Sequence, residues 1–119
     1  MKSIFISAGE QSGELHGSAL MKEINRISSV SFYGLGGDMM IGEGLNPLAH
    51  IKDLAATGLA EVARKYRYFK SVLKKSIEKI NNLNPSAIVL IDFPGFNLRL
   101  AERVRKNYNG KIIYYISPQ

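Results

Sequence analysis

Asp92 follows an unbroken apolar run, Ala87-Ile88-Val89-Leu90-Ile91, and precedes Phe93-Pro94-Gly95-Phe96-Asn97. Such a run fits a strand buried on both faces of a parallel sheet. The carboxyl end of a strand of this kind is where an open α/β sheet builds its ligand crevice. A carboxylate there can reach a substrate proton and act as a general base. One residue deeper it would be buried at high cost. The residues after Asp92 look suited to aiming it. Phe93 precedes a proline and is expected to be extended. Pro94 fixes its own φ, Gly95 permits an unusual one, and Asn97 is a good N-cap for a following helix. The plainer role for Asp92 is an Asx-type cap of the turn. Local sequence leaves both roles open.

A second candidate is Gly9-Glu10-Gln11-Ser12-Gly13, between a strand-like segment and a helical one. Its backbone N–H groups and the helix N-terminus can hold a phosphate or a sugar hydroxyl. No Gly-Lys-Ser/Thr follows, so it is not a P-loop, and Gly9, Gly13 and Gly17 miss the dinucleotide spacing. Glu10 would repel a diphosphate and suits hydroxyls better. A tight connection into a helix capped by Ser12 explains the same residues. Gly34-Leu35-Gly36-Gly37 allows close approach of a ligand and is equally a sharp turn.

A basic stretch carries Arg64, Lys65, Arg67, Lys70, Lys74, Lys75 and Lys79, with Tyr68 among the charges and Leu59 and Val62 just upstream. This mixture suits a surface that meets anionic lipid head groups, with Arg64, Lys65, Arg67, Tyr68 and Lys70 as contacts. A solvated helix face fits the same residues. No nucleic-acid recognition motif accompanies the charge. His16 and His50 read as packing or solvent-facing residues.

These residues need elements to position them. Ser3–Ala8 reads as a first strand. Leu15, Ala19, Leu20, Ile24 and Ile27 recur at helical spacing after it. Val30–Tyr33 is a second strand, followed by a short helix over Asp38–Glu43 and a weak strand over Pro47–Ile51. Asp53 can cap a segment through Val62. A long helix from about Arg64 to Asn82 turns Tyr66, Phe69, Leu73, Ile77 and Ile80 inward, and Asn84-Pro85 ends it. The Asp92 strand follows. A helix from Leu98 to Tyr108 buries Leu100, Ala101, Val104 and Tyr108, and Asn109-Gly110 stops it. Lys111–Ile116 is a last strand, read as a central one. Strands and helices alternate throughout. The fold class is therefore α/β, Rossmann-like, with a mostly parallel sheet and helices on both faces.

The 119 residues make one domain with a single core. There is no cysteine, which excludes disulfides and thiolate metal sites. The two histidines lie far apart, so no zinc cluster is expected. No apolar run approaches the ~20 residues of a membrane span. The chain enters a strand after one lysine, unlike a signal peptide, and a cytoplasmic location is expected. The net charge of +6 favours anionic partners.

Five segments in order resemble one family: SAGEQSGELHG at Ser7–Gly17, FYGLGGDMM at Phe32–Met40, DLAATGLAEV at Asp53–Val62, IDFPGFNLRLA at Ile91–Ala101 and YYISPQ at Tyr114–Gln119. Together they are similar to the N-terminal part of the lipid-A-disaccharide synthases. The resemblance implies the N-terminal half of a GT-B glycosyltransferase, two Rossmann-like domains facing across a cleft. It implies an inverting transfer of 2,3-diacylglucosamine from UDP to 2,3-diacylglucosamine 1-phosphate (lipid X), in lipid A biosynthesis, without metal or cofactor. Asp92 is then the general base, and Gly9, Glu10, Ser12, Gly13 and Asn97 are substrate-side residues. Many members carry a second acid where this chain has Gly95, which leaves Asp92 alone. The resemblance also implies peripheral contact with the inner membrane. The UDP-sugar domain is expected outside this chain, so the chain alone is expected to be inactive. A free-standing flavodoxin-like binding module, or another GT-B enzyme such as a UDP-sugar epimerase, is the alternative.

Overall fold

The computed structural model describes residues 2–54 and 59–115, with the side chains of 59–64 excepted. The elements run β1 (Lys2–Ala8), α1 (Gln11–Ile27), β2 (Val30–Gly36), α2 (Asp38–Gly42), β3 (Leu45–His50), α3 (Ile51–Leu54), α4 (Leu59–Leu83), β4 (Ala87–Ile91), α5 (Pro94–Val104) and β5 (Lys111–Tyr115). The strands form one sheet in the order β3-β2-β1-β4-β5, and every neighbouring pair is parallel. This is the Rossmann-like α/β arrangement.

Alternation along β1 and β4 divides the core in two. Phe5, Ile88 and Leu90 face α4 and α5, where they meet Val72, Leu73, Ile80, Phe96 and Leu100. Ile6, Ala8, Val89 and Ile91 face α1 and α2, where they meet Met21 and Met40. Burying an aliphatic or aromatic side chain fully contributes roughly 1.5–3 kcal/mol. Burial of β4 on both faces therefore fixes the height of the strand, and with it the residue that follows.

Several elements depart from expectation. The face of α1 on the sheet is built from Gly13, Glu14, Gly17, Ser18 and Met21, while Leu15 is 55% exposed. The helix lies close against β4: a Cβ at Gly17 would meet Met40 and Ile91 within about 3 Å. Small residues therefore face inward, and apolarity alone gave the wrong helix phase. In α4 the buried line is Val72, Leu73, Ser76 and Ile80, with Phe69 and Ile77 beside it, whereas Tyr66 is 53% exposed. Ser76 sits inside because its hydroxyl donates to the Val72 carbonyl at 2.8 Å.

β2 runs on through Gly36 instead of ending at Tyr33, with a register shift at Gly34/Leu35. Gly34 has φ +146°, and a side chain there would strike the Ile6 carbonyl. β3 begins at Leu45 and tolerates Pro47 because it is an edge strand. Asp53 lies inside α3, and the segment it is expected to cap runs through residues 55–58, outside the described residues. Among the described residues β5 is the outermost strand beyond β4. Ile112 and Tyr114 pack on the core, while Ile113 and Tyr115 remain exposed.

Candidate functional site

Strand order reverses between β1 and β4, which are neighbours in space but distant in sequence. Ala8 pairs with Ile91 at their carboxyl ends. The Gly9-Glu10 turn and the Asp92-Phe93 turn therefore emerge side by side. In an open parallel sheet this switch point is the place where a ligand crevice forms.

Asp92 is half-buried at the rim. Asp92 and Phe93 both have left-handed backbone, φ 48° and 51°. Aspartate tolerates this region but a bulky residue strongly resists it. Phe93 is thus not extended, although it precedes Pro94. It is the N-cap of α5, which begins at Pro94 and not at Leu98. Proline at the first helical position was the available signal. Consecutive residues in this region cost about 1–3 kcal/mol each and persist only where the surroundings hold them.

The holding contacts are specific. Asn97 is fully buried, and its Nδ2 donates to the Asp92 carbonyl at 2.8 Å and lies 3.3 Å from those of Ser7 and Ile91. Three carbonyls around one amide nitrogen assign its orientation. Asn97 is therefore not the helix cap its type suggested. Its place is inside, tying the ends of β1 and β4 to the turn. The Tyr114 hydroxyl of β5 donates to the same Asp92 carbonyl at 2.8 Å. Burial, and then the Asp92 carboxylate, push the Tyr114 phenol above its ordinary pKa. The Phe93 ring stacks on Phe96, centroids 5.6 Å apart, with Phe69 edge-on to both.

The glycine turn packs against that ring. A Cβ at Gly9 would overlap Phe93, so close packing alone requires this glycine. Glu10 is exposed and is itself the N-cap of α1, without a side-chain cap bond. Ser12 is consequently not the cap; it lies one residue inside the helix, exposed. Gly13 is buried where a Cβ would touch Ala8 and Ile91 at 3.4 Å, so its neighbours are core atoms.

An open groove of about 520 Å³ lies beside this turn. Gly9, Glu10 and Glu14 form one wall, Asp38, His50 and Lys52 another, and Leu54 and Phe93 are apolar parts of it. Asp92 does not line this groove, whereas Phe93 does. His50 Nδ1 accepts the Lys52 N–H at 3.2 Å, which leaves Nε2 to face Asp38 Oδ1 at 2.9 Å. The His50 hydrogen bond and charge hold the exposed Asp38 carboxyl below its ordinary pKa. The Asp38–His50 pair and Glu14 lay beyond the sequence reading, since no spacing links them.

The basic residues of α4 do not share one surface role. Lys65 Nζ donates to the Asp53 carbonyl at 2.8 Å. Tyr68 is half-buried and packs on the core. Burial, and then Asp53, raise its phenol pKa. Arg67 and Lys70 are exposed, and Lys70 lies over the Tyr66 ring at 5.4 Å. The Arg64 side chain lies outside the described residues. Lys70 and Lys74 share a groove of about 680 Å³ with Arg99 and Arg103 of α5, two cations the sequence reading left out. Among the described residues no three His, Asp or Glu side chains gather as a metal site, and no helix is long and apolar enough to cross a membrane.

A family model described as lipid-A-disaccharide synthetase matches residues 4–119. The lipid-A-disaccharide synthase of Syntrophus aciditrophicus (strain SB) is 40% identical over 119 residues, covering 99% of this chain and 31% of its own length. That of Chlamydia pneumoniae is 38% identical, covering 96% of this chain and 19% of its own. That of Sulfurihydrogenibium sp. (strain YO3AOP1) is 35% identical, covering 100% and 29%. The chain thus spans less than a third of the length of these curated relatives.

Proposed function

The chain belongs to the lipid-A-disaccharide synthetase family, and from that premise we propose that it is the acceptor-side, single-domain half of a GT-B glycosyltransferase acting in lipid A biosynthesis. The intact enzyme transfers 2,3-diacylglucosamine from UDP to 2,3-diacylglucosamine 1-phosphate. Asp92 is the general base. It takes the proton from the acceptor's 6-hydroxyl as that oxygen bonds to the anomeric carbon. The bond from that carbon to the UDP oxygen breaks, and UDP leaves with the electron pair. The attack comes from the face opposite UDP, so the configuration inverts.

The observation that carries this reading is the left-handed turn at the end of β4, which holds Asp92 at the switch point beside Gly9. A carboxylate is a weak base for an alcohol, so proton transfer must accompany attack. Positioning then supplies much of the rate. The buried Asn97 amide and the Tyr114 hydroxyl serve that positioning by fixing the Asp92 carbonyl. Gly9 and Glu10 border the proposed acceptor groove, which Phe93 lines and Asp92 does not, so the acceptor's 6-hydroxyl must reach past the Phe93 ring to the rim where Asp92 sits. Gly13 and Ser12 support it through the start of α1.

The exposed Arg67 and Lys70 are the residues of α4 proposed to meet the anionic inner membrane, with the enzyme lying peripherally on its cytoplasmic face; Tyr68, packed on the core, is left out of that contact. The UDP site is assigned to sequence outside this chain. The test is product analysis. The intact enzyme given both substrates yields a β(1→6) disaccharide and one UDP for each, whereas this chain alone yields none. Failure of the intact enzyme to release UDP in step with disaccharide refutes the assignment.

A further inference from the structure

Glu14 is a buried charge that the mechanism above does not use. It lies in the first turn of α1, 6% exposed, and its Oε2 has no hydrogen-bond partner among the described residues. A buried, unsatisfied carboxylate oxygen is costly, and an apolar side chain of similar shape would avoid that cost. The fold instead makes room for it. A Cβ at Gly37 would overlap the Glu14 carboxylate, so the end of β2 is trimmed to glycine where the charge sits. Glu14 also forms part of the wall of the groove beside Gly9. Across that groove His50 and Asp38 already satisfy each other, which leaves Glu14 as its buried acceptor without a match among the described residues.

We propose that Glu14 is a sugar-binding residue: its carboxylate accepts a hydrogen bond from a hydroxyl or amide N–H of the acylated amino sugar lying in this groove. A carboxylate can only accept, so the matching group must be a donor. Glu10, Glu14 and Asp38 outnumber Lys52 on the same groove, which makes its field unfavourable to a phosphate. The sugar's hydroxyl or amide edge therefore faces Glu14, and its 1-phosphate points away. The terminal torsion of a glutamate is broad and two-fold, so either oxygen can turn to the ligand. The inference rests on the reading that this chain holds the acceptor.

The test uses the intact enzyme and its acceptor, 2,3-diacylglucosamine 1-phosphate in detergent micelles. Acceptor Kd is measured by calorimetry, acceptor and donor KM by kinetics, and melting temperature by scanning calorimetry, for wild type, Glu14→Gln, Glu14→Ala and Gly37→Ala. Both Glu14 variants are expected to weaken acceptor binding ten- to hundred-fold, the range of a charge-assisted hydrogen bond. Donor KM stays unchanged, and both melt at or above the wild-type temperature because an unsatisfied charge has gone. Gly37→Ala keeps the charge but displaces it, and weakens acceptor binding too. Should that variant not fold, the two Glu14 variants decide. Acceptor Kd and KM within twofold of wild type in both would overturn the proposal and leave the enzyme's activity standing. A wild type that neither binds the acceptor nor transfers to it overturns the acceptor reading, and this inference with it.

Discussion

Replacing Asn97 with alanine should release the turn that carries Asp92. The amide nitrogen bonds the Asp92 carbonyl at 2.8 Å and lies 3.3 Å from two more carbonyls, in a fully buried position. The net loss of the short bond is about 1 kcal/mol, and leaving buried carbonyls less satisfied adds about 1–3 kcal/mol. Removing Oδ1, which has no partner among the described residues, offsets part of this. The expected destabilisation is about 2–3 kcal/mol. Asn97→Asp should cost more, because it turns a carboxylate towards three carbonyls. Tyr114→Phe removes one hydrogen bond, about 1 kcal/mol. Both donors share the Asp92 carbonyl, so the double variant should be non-additive by at least about 0.5 kcal/mol. Urea unfolding followed by circular dichroism reads all four. With a slope of roughly 1–3 kcal/mol per molar, the Asn97→Ala midpoint falls by about 1 M. A midpoint within 0.2 M of wild type (roughly 0.2–0.6 kcal/mol at that slope), or strict additivity with Tyr114→Phe, refutes the clamp.

Tyr114 should titrate above an ordinary tyrosine, since burial and then Asp92 raise its pKa. Its folded value exceeds its unfolded one, so this stabilisation is complete below the unfolded pKa and is lost as pH rises through the folded one. Asp92→Asn should lower the Tyr114 midpoint seen by NMR; an unmoved midpoint would separate the two groups. Asp38 has the opposite sign: its pKa is depressed, chiefly by the His50 hydrogen bond, so the pair's contribution is lost as pH falls through the folded Asp38 value. His50→Gln should flatten that acid dependence, and an unchanged acid limb would discount the pair. Charge reversal at Lys65, Arg67 and Lys70 of the intact enzyme should weaken co-sedimentation with phosphatidylglycerol vesicles. Unaltered sedimentation would return α4 to a solvated face.

The bounds of β4 were legible in the sequence because two-sided burial writes itself as an unbroken apolar run, Ala87–Ile91, whereas the glycine-rich β2 runs past its expected end at Tyr33. The position of Asp92 at the rim follows from the β4 run. Helix faces were less legible. α1 packs on the sheet through glycine, serine and Glu14, and α4 through Ser76, so a reading by apolarity chose Leu15 and Tyr66, both of which face out. Residue type alone points to Asn97 and Ser12 as caps. The caps are instead Phe93 and Glu10, neither of which uses a side-chain bond. The left-handed Phe93 could not be foreseen from a local rule, because its conformation is imposed by Asn97, Phe96 and Phe69 from elsewhere. The joining of Asp38 to His50 depends on β2 pairing with β3, and that of Glu14 to Gly37 on β1 pairing with β2, neither of which a short spacing encodes.

The central claim is that one carboxylate at the end of β4 removes the acceptor's proton. Its most direct measurement is the single-turnover rate of Asp92→Asn in the intact enzyme, with both substrates saturating and their affinities measured separately. Loss of a general base predicts a rate lower by about 10²–10⁴-fold with both affinities nearly unchanged. A rate within a few fold of wild type would contradict it.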